Sequence, residues 1–275
     1  MVLKTSPLVS IVCTTYNQIK YIKKAIDGFL MQQTDFPVEI VIHDDASTDG
    51  TDRIIREYAG KYPELIFPIF QTENQFARGN GLVAIKAFGA ARGKYIALCE
   101  GDDYWTDRHK LQKQVDFLES NPDYSICFHR VKLAYPLNIS NLIRRRRSKG
   151  SIKETTTITD LCRNNYIYTA SCVFQNRLTG PLPQWFEQVL PLDWPYFVLA
   201  ARHGKIKFIK KTMAVYRIHQ AGIWGGTSAV KKWQREIEML QHLGDFLNRS
   251  DCQTAVDEAI RERQEAIAKE SSKKA

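Results

Sequence analysis

Leu8-Val9-Ser10-Ile11-Val12-Cys13-Thr14-Thr15-Tyr16-Asn17 opens on a short apolar, β-branched run and then turns abruptly polar. A run of this length and composition suits a strand buried on both faces, and the polar break marks its exposed end. Tyr21 to Gln32 follows as an amphipathic helix, with Ile22, Ile26, Phe29 and Leu30 on one side. Val38-Glu39-Ile40-Val41-Ile42 repeats the strand pattern and ends at His43-Asp44-Asp45. Ser47 or Thr48 is placed to cap a helix from about Thr51 to Tyr62. Ile66 to Phe70 reads as a third strand, and its Pro68 points to an edge position. Gly81 to Arg92 reads as helix, and Tyr95-Ile96-Ala97-Leu98-Cys99 is a buried strand running into Glu100-Gly101-Asp102-Asp103.

Strand and helix alternating in this way predict an α/β fold, a Rossmann-like and mostly parallel central sheet with helices on its faces. Such sheets bind ligands beyond the carboxyl ends of their strands. The polar segments Thr14–Asn17, His43–Asp49 and Glu100–Asp103 all fall at such ends, so they are expected to meet along one edge.

Beyond Asp103 the pattern loosens. A helix is expected from Asp107 to Glu119, strands at Ser125–Leu133 and Tyr166–Phe174, a helix at Pro195–His203, and two short strands within Lys205–Tyr216. The remainder, Ala229 to about Lys269, reads as helix with charged faces and a polar tail. The expected division is one α/β domain over 1–227, in two halves (1–120 and 121–227), then a helical extension over 228–275.

Composition narrows the function classes. The 275 residues are 44% hydrophobic and 25% charged, ordinary for a globular protein. No apolar run approaches the roughly 18–20 residues of a spanning helix, and Met1 to Pro7 lacks the apolar segment of a secretory signal. The six cysteines are scattered with no CxxC pair, which favours reduced thiols in a cytoplasmic protein over a disulfide framework or a zinc site. The net charge of +9 points to anionic partners, and much of it is local to Arg144-Arg145-Arg146-Arg147-Ser148-Lys149. That run is either a solvated loop or a contact with an anionic membrane face or a diphosphate-lipid acceptor.

Clustered carboxylates such as Glu100, Asp102 and Asp103 repel one another unless something neutralises them. A divalent cation shared with substrate phosphates does so, and Mg²⁺ and Mn²⁺ take such oxygen ligands. A polar turn ahead of a helix is the competing reading.

Three segments taken together, Val9 to Asn17, Asp44-Asp45-Ala46-Ser47-Thr48-Asp49-Gly50-Thr51, and Glu100-Gly101-Asp102-Asp103-Tyr104-Trp105, resemble the family 2 glycosyltransferases of the GT-A fold over roughly the first 120 residues. The resemblance implies an inverting transferase that takes a sugar from a UDP-sugar donor with Mn²⁺ or Mg²⁺. Thr14, Tyr16, Asn17 and Arg78 would line the nucleotide pocket, with Asp45 on the base. Asp102 and Asp103 fall at the family's DxD-type motif, as metal ligands, with Asp102 also near the nucleotide. Glu100 stands where many members have aspartate. The general base would be an acidic residue at the start of a helix, a place that Asp193 matches; a simple N-cap is the alternative. His219 would complete the metal shell, and Arg217 would neutralise the departing UDP, on a segment given mobility by Gly222, Gly225 and Gly226. The acceptor implied is a glycan or lipid-diphosphate-linked oligosaccharide of surface polysaccharide, reached at the inner face of the cell membrane.

Other classes fit poorly. A dinucleotide oxidoreductase needs GxGxxG after the first strand, where this chain has Thr14-Thr15-Tyr16-Asn17-Gln18-Ile19. Nucleic-acid binding would explain the charge, but not acidic residues at the strand ends. A catalytically inactive relative that binds nucleotide or carbohydrate is the reading that motifs alone leave open.

Overall fold

A computed structural model describes residues 6–78, 82–135, 152–177, 182–189, 192–219 and 227–272. The Arg144–Lys149 run and Gly222, Gly225 and Gly226 lie outside these residues.

The core element is the strand that opened the reading. β1 (Val9–Thr15) pairs in parallel with β2 (Val38–Asp44) on one side and with β4 (Tyr95–Leu98) on the other, and β2 pairs in parallel with β3 (Ile66–Phe70). β3 is the outer strand, as Pro68 predicts. Beyond β4 come β8 (Val173–Gln175), antiparallel, then β6 (Tyr124–Ala134) and β9 (Lys205–Arg217), which are parallel to each other. β5 (Tyr104–Trp105) and β7 (Thr155–Thr156) add to β9 in antiparallel fashion. The order β3-β2-β1-β4 reverses direction at β1, and the carboxyl ends of β1 and β4 lie at this switch point.

Helices α1 (Ile22–Leu30), α2 (Thr51–Lys61), α3 (Leu82–Gly89) and α4 (Lys110–Ser120) connect these strands. α1 buries Ile22, Ala25, Ile26 and Phe29, the i, i+3, i+4, i+7 stripe of an amphipathic helix. Gly28 on that face lets the backbone of Trp105 approach, since a Cβ there would sit 3.1 Å from the Trp105 nitrogen. Phe29 packs edge-on to Trp105 at 5.0 Å, and the Trp105 indole donates to the Ala170 carbonyl at 2.9 Å. The chain just after Asp103 is thereby anchored from two sides.

At the opposite end of the sheet a buried network ties β1 to β2. Ser10 Oγ donates to Glu39 Oε1 (2.6 Å) and accepts from the Gly93 N–H (2.8 Å), while Arg92 Nε donates to Glu39 Oε2 at 2.7 Å. A Cβ on Gly93 would stand 2.6 Å from the Ser10 nitrogen, inside contact distance of backbone that cannot give way. Gly93→Ala is therefore expected to cost about 1–3 kcal/mol and to lower the melting temperature by several degrees, as calorimetry would read it. The site, at the other end of the strands, should keep its ligand response.

The second half departs from expectation in several places. Tyr166–Phe174 is not one strand: it contains the 3₁₀ turn Thr169–Ser171 and only then β8. Lys205–Arg217 is a single bent strand instead of two, with register shifts against β6 around His129, Arg130 and Val131. A short helix, α5 (Ile158–Arg163), carries a capping box from Thr157 and Asp160. α6 (Asp193–Ala201) is followed after β9 by α7 (Ala229–Leu247) and α8 (Ser250–Ser272), a hairpin turned at Asn248 in the left-handed region (φ 45°). α7 and α8 bury Met239, Leu240, Leu243, Val256 and Ala259 in the same apolar cluster as Leu161, Trp194 and Phe197 of α5 and α6. All six cysteines are free and buried. No helix among the described residues is long and apolar enough to cross a membrane.

Candidate active site

The loops after β1 and β2 interlock. Asn17, held at φ 51°, donates its N–H to Ser47 Oγ and accepts the Thr48 N–H through its side chain, both at 2.8 Å. Ser47 in turn donates to Asp44 Oδ1 at 2.5 Å. The N-cap position of α2 is Gly50 (φ 96°), not Ser47 or Thr48, and Asp49 just before it accepts the Thr51 N–H through Oδ1 at 3.0 Å. Thr14 is half-buried at the end of β1, and Tyr16 stands 45% exposed beside it, free to meet a ligand ring.

Asp45, the residue expected on the base, is 1% exposed, and its two oxygens accept the backbone N–H groups of Gln75 (2.8 Å) and Phe76 (3.0 Å). It thereby clamps the 3₁₀ turn Phe76–Arg78 to the end of β2. The clamp sets the backbone of Arg78, whose side chain lies outside the described residues.

The acidic loop crosses from β4 over the end of β1. Gly101 donates its N–H to the Thr14 carbonyl at 3.0 Å. A side chain at Gly101 would fall 2.4 Å from Gln18 Oε1 and 2.6 Å from Thr15 Oγ1, so only glycine allows the loop to lie this close. The three carboxylates then take different surroundings. Glu100 accepts from the Thr169 hydroxyl, and burial together with the Asp102 charge pushes its carboxyl up to about 8. Asp103 is 1% exposed; Oδ1 accepts the Arg217 N–H at 2.7 Å, while Oδ2 is buried with no partner among the described residues. Burial, then the charges of Asp102 and Glu100, hold Asp103 well above the usual carboxylate range. Asp102 faces His219, with Oδ2 2.8 Å from Nε2.

Arg217 ties β9 to this loop. Its guanidinium donates to the Asp102 carbonyl and lies 5.0 Å and 4.4 Å from the ring centres of Tyr21 and Tyr104. The His219 ring sits 5.2 Å from that of Tyr21. A cation and an imidazole are thus held beside the acidic loop by aromatic surfaces from α1 and β5.

Asp193 is the first residue of α6, with Leu192 in the N-cap position, and its carboxylate accepts backbone N–H groups of that first turn. Burial raises its carboxyl to about 6, against hydrogen bonds from the Trp194 backbone and the Asn165 side chain that lower it. Trp194 is pinned by its indole N–H to the Leu161 carbonyl (2.8 Å) and by Arg263, whose guanidinium lies 5.2 Å from its ring and pairs with Glu236 at 2.5 Å. The C-terminal helices therefore hold the helix that carries Asp193. Tyr216 stands among all four acidic groups: after burial, the charges of Glu100, Asp103, Asp193 and Asp102 each disfavour its ionisation. Glu100 likewise feels the charge of Asp193. Acidic loop and Asp193, about ninety positions apart in sequence, line one site.

Residues 10–177 match the model of the family described as Glycosyl transferase family 2. The chain belongs to glycosyltransferase family 2. An uncharacterized protein of Mycobacterium tuberculosis is 42% identical to it over 228 residues, covering 82% of this chain and 63% of the relative, so the chain spans less than two thirds of that relative's length. Among solved structures, the mannosyltransferase PcManGT of Pyrobaculum calidifontis, in complex with GDP-Man and Mn²⁺, is similar with a TM-score of 0.62 at 19% identity over 98% of this chain and 76% of its own. S. aureus TarS in complex with UDP-GlcNAc aligns with a TM-score of 0.61 at 18% identity, over 85% of this chain and 65% of its own. These likenesses establish the GT-A fold for the chain.

In this chain Asp102, Asp103, Arg217 and His219 come together, and Asp193 is near enough for its charge to reach Glu100 and Tyr216. Thr14, Tyr16 and Asn17 lie at and beyond the end of β1, where the Thr14 carbonyl meets the acidic loop. Thr169 and Asn165 also support the site and were not singled out from the sequence. They lie in and just before a run of strand-like composition without a motif, so nothing local marked them.

The donor set suits a hard divalent cation: carboxylate oxygens, one of them buried and unpartnered, and a single imidazole. Among the described residues no ready-made group of three or more metal-binding side chains is present. A site of one or two side chains that substrate phosphates complete has this appearance.

Proposed function

We propose that the chain catalyses inverting transfer of a sugar from a UDP-sugar to a hydroxyl of a glycan or lipid-linked oligosaccharide. The observation that carries this reading is the assembly of Asp102, Asp103, Arg217 and His219 beside the carboxyl end of β4, near enough to Asp193 for Glu100 and Tyr216 to feel its charge. The acceptor oxygen bonds to the anomeric carbon from one face while the bond from that carbon to the diphosphate oxygen breaks on the other, its electron pair leaving with UDP. Asp193 takes the acceptor proton. Arg217 meets the negative charge that develops on the diphosphate, held for that purpose by Tyr21 and Tyr104. Asp102 and His219 would hold Mn²⁺ or Mg²⁺ with the diphosphate, and the cation supplies charge neutralisation for the leaving group. Asp103 fixes the end of β9 through Oδ1, and its Oδ2, unpartnered among the described residues, would be a further donor to the cation. Thr14, Tyr16 and Asn17 bound the uridine, with Arg78 near the diphosphate. A role in surface polysaccharide, with peripheral contact at an anionic membrane, rests on the basic run Arg144–Lys149.

Thermal unfolding with UDP, UDP-GlcNAc, UDP-glucose, UDP-galactose or GDP-mannose, each with Mn²⁺ or with EDTA, tests the donor class. A nucleotide at about 100 times its Kd adds about 2.7 kcal/mol, and so raises Tm by about 5–10 °C. The expected result is a rise with the UDP compounds in Mn²⁺ that EDTA removes. A rise with GDP-mannose alone would replace the donor, and no rise with any nucleotide would overturn the reading.

A further inference from the structure

We infer that Asn165 is a positioning residue for the transfer: its side-chain amide holds one oxygen of Asp193 so that the other faces the incoming hydroxyl. The inference rests on the reading of Asp193 as the base. Asn165 Nδ2 donates to Asp193 Oδ2 at 3.1 Å, and Asn165 Oδ1 accepts the Ile167 N–H at 3.0 Å. A backbone N–H can only donate, so the atom that it meets must be the amide oxygen. The NH₂ group is thereby committed to Asp193, and the amide cannot present its oxygen to the carboxylate without abandoning a backbone partner.

The frame around Asn165 is rigid on both sides. The Tyr166 hydroxyl donates to Thr156 Oγ1 at 2.6 Å and its ring packs 5.6 Å from Phe128, while Ile167 is buried. Upstream, α5 is locked by its capping box, and its Leu161 carbonyl accepts the Trp194 indole N–H. The segment 157–167 therefore grips α6 at consecutive residues, Asp193 through Asn165 and Trp194 through Leu161. Two grips on the first turn of a helix fix the direction of its first side chain, which is what a base acting on a transient geometry requires.

The contact also selects the charged form. An N–H donor stabilises a carboxylate over a carboxylic acid. The other titratable groups facing Asp193 give no such help: Glu236 from α7 and Glu100 from the acidic loop oppose its charge, and Tyr216 and Cys172 have no positive charge to offer. Removing the donor lets Asp193 hold its proton to higher pH.

The test is the pH dependence of UDP release from the UDP-sugar that most stabilises the fold, measured in Mn²⁺ between pH 5 and 9 by the order of the values at issue. Asn165→Asp keeps an acceptor for the Ile167 N–H, removes the donor and adds a carboxylate beside Asp193, so it is read together with Asn165→Ala, which removes the donor without adding a charge. It is expected to lower kcat about ten- to hundredfold near neutral pH, to move the acidic limb of the profile up by about one pH unit or more, and to leave the UDP-induced rise in Tm unchanged. The loss should narrow as pH rises. Asn165→Ala reads the same limb should the aspartate unfold the chain. An unmoved limb in a folded variant overturns the inference, whatever happens to kcat. Asp193→Asn measured alongside separates the two failures: wild-type turnover there removes the base itself, whereas an inactive Asp193→Asn with an unmoved limb in the Asn165 variants removes only the role of Asn165.

Discussion

Asp193→Asn is expected to lower kcat for sugar transfer about 10²–10⁴-fold, the usual contribution of a positioned general base, while UDP still raises the melting temperature as it does for the unaltered chain. The substitution keeps size and shape in the first turn of α6. Its amide oxygen can still accept the Trp194 N–H that the carboxylate accepts. The helix stays anchored through Trp194, Leu161 and Arg263. What disappears is the only property that the reaction uses, a carboxylate able to take a proton. The pH dependence of the unaltered chain carries the same signature. Burial raises the Asp193 carboxyl to about 6, above an ordinary aspartate. A base must be deprotonated, so kcat/KM should be level above that value and fall as pH drops through it, with a slope approaching tenfold per unit. Steady-state rates of UDP release across pH, with equilibrium UDP binding measured on the same samples, check both statements.

Asp102→Asn is expected to abolish the Mn²⁺-dependent part of nucleotide binding and to reduce kcat/KM about 10³-fold, on the scale of losing one preorganised charge contact to the leaving group. The fold should survive. The contact with Arg217 is made by the Asp102 main-chain carbonyl, and an amide can still hydrogen-bond His219. Asp103→Asn is a less direct test, because Asp103 is buried and one of its oxygens secures the Arg217 backbone, so that change mixes structure with charge. Calorimetric titration of UDP with and without Mn²⁺ distinguishes the two positions: Asp102→Asn should erase the difference between the conditions, and Asp103→Asn should lower stability as well.

The half of the chain that was most readable is the half built from local pattern. Buried parallel strands announce themselves as apolar runs, and the polar residues that end them, Thr14 to Asn17, His43 to Asp49 and Glu100 to Asp103, mark the site because the fold brings strand ends together. The loops between were read less well for a physical reason. Ser47 and Asp49 are both good capping residues, and only the geometry gives the Thr51 N–H to Asp49 and sends Ser47 to Asp44 and Asn17. Asp45 is also a buried clamp for the Gln75–Phe76 turn, a partner thirty positions away that the local sequence does not announce. The capping box Thr157-x-x-Asp160 is present in the sequence, but the helix it opens is only six residues long, too short for a periodic pattern to show. Thr169 and Asn165 had no signal at all. Their value comes from contacts with Glu100 and Asp193, made across 69 and 28 positions, which no local periodicity encodes.

The central claim is that Asp193 and the acidic loop form an inverting transfer site for a UDP-sugar. Proton NMR of the free sugar released from that donor, recorded as it forms in Mn²⁺ buffer, tests it most directly. Because attack comes from the face opposite the diphosphate, an α-linked donor should yield the β-anomer first, with the α-form growing in later by mutarotation, and Asp193→Asn should release none above background. Initial release of the α-anomer, or release undiminished in Asp193→Asn, would contradict the account.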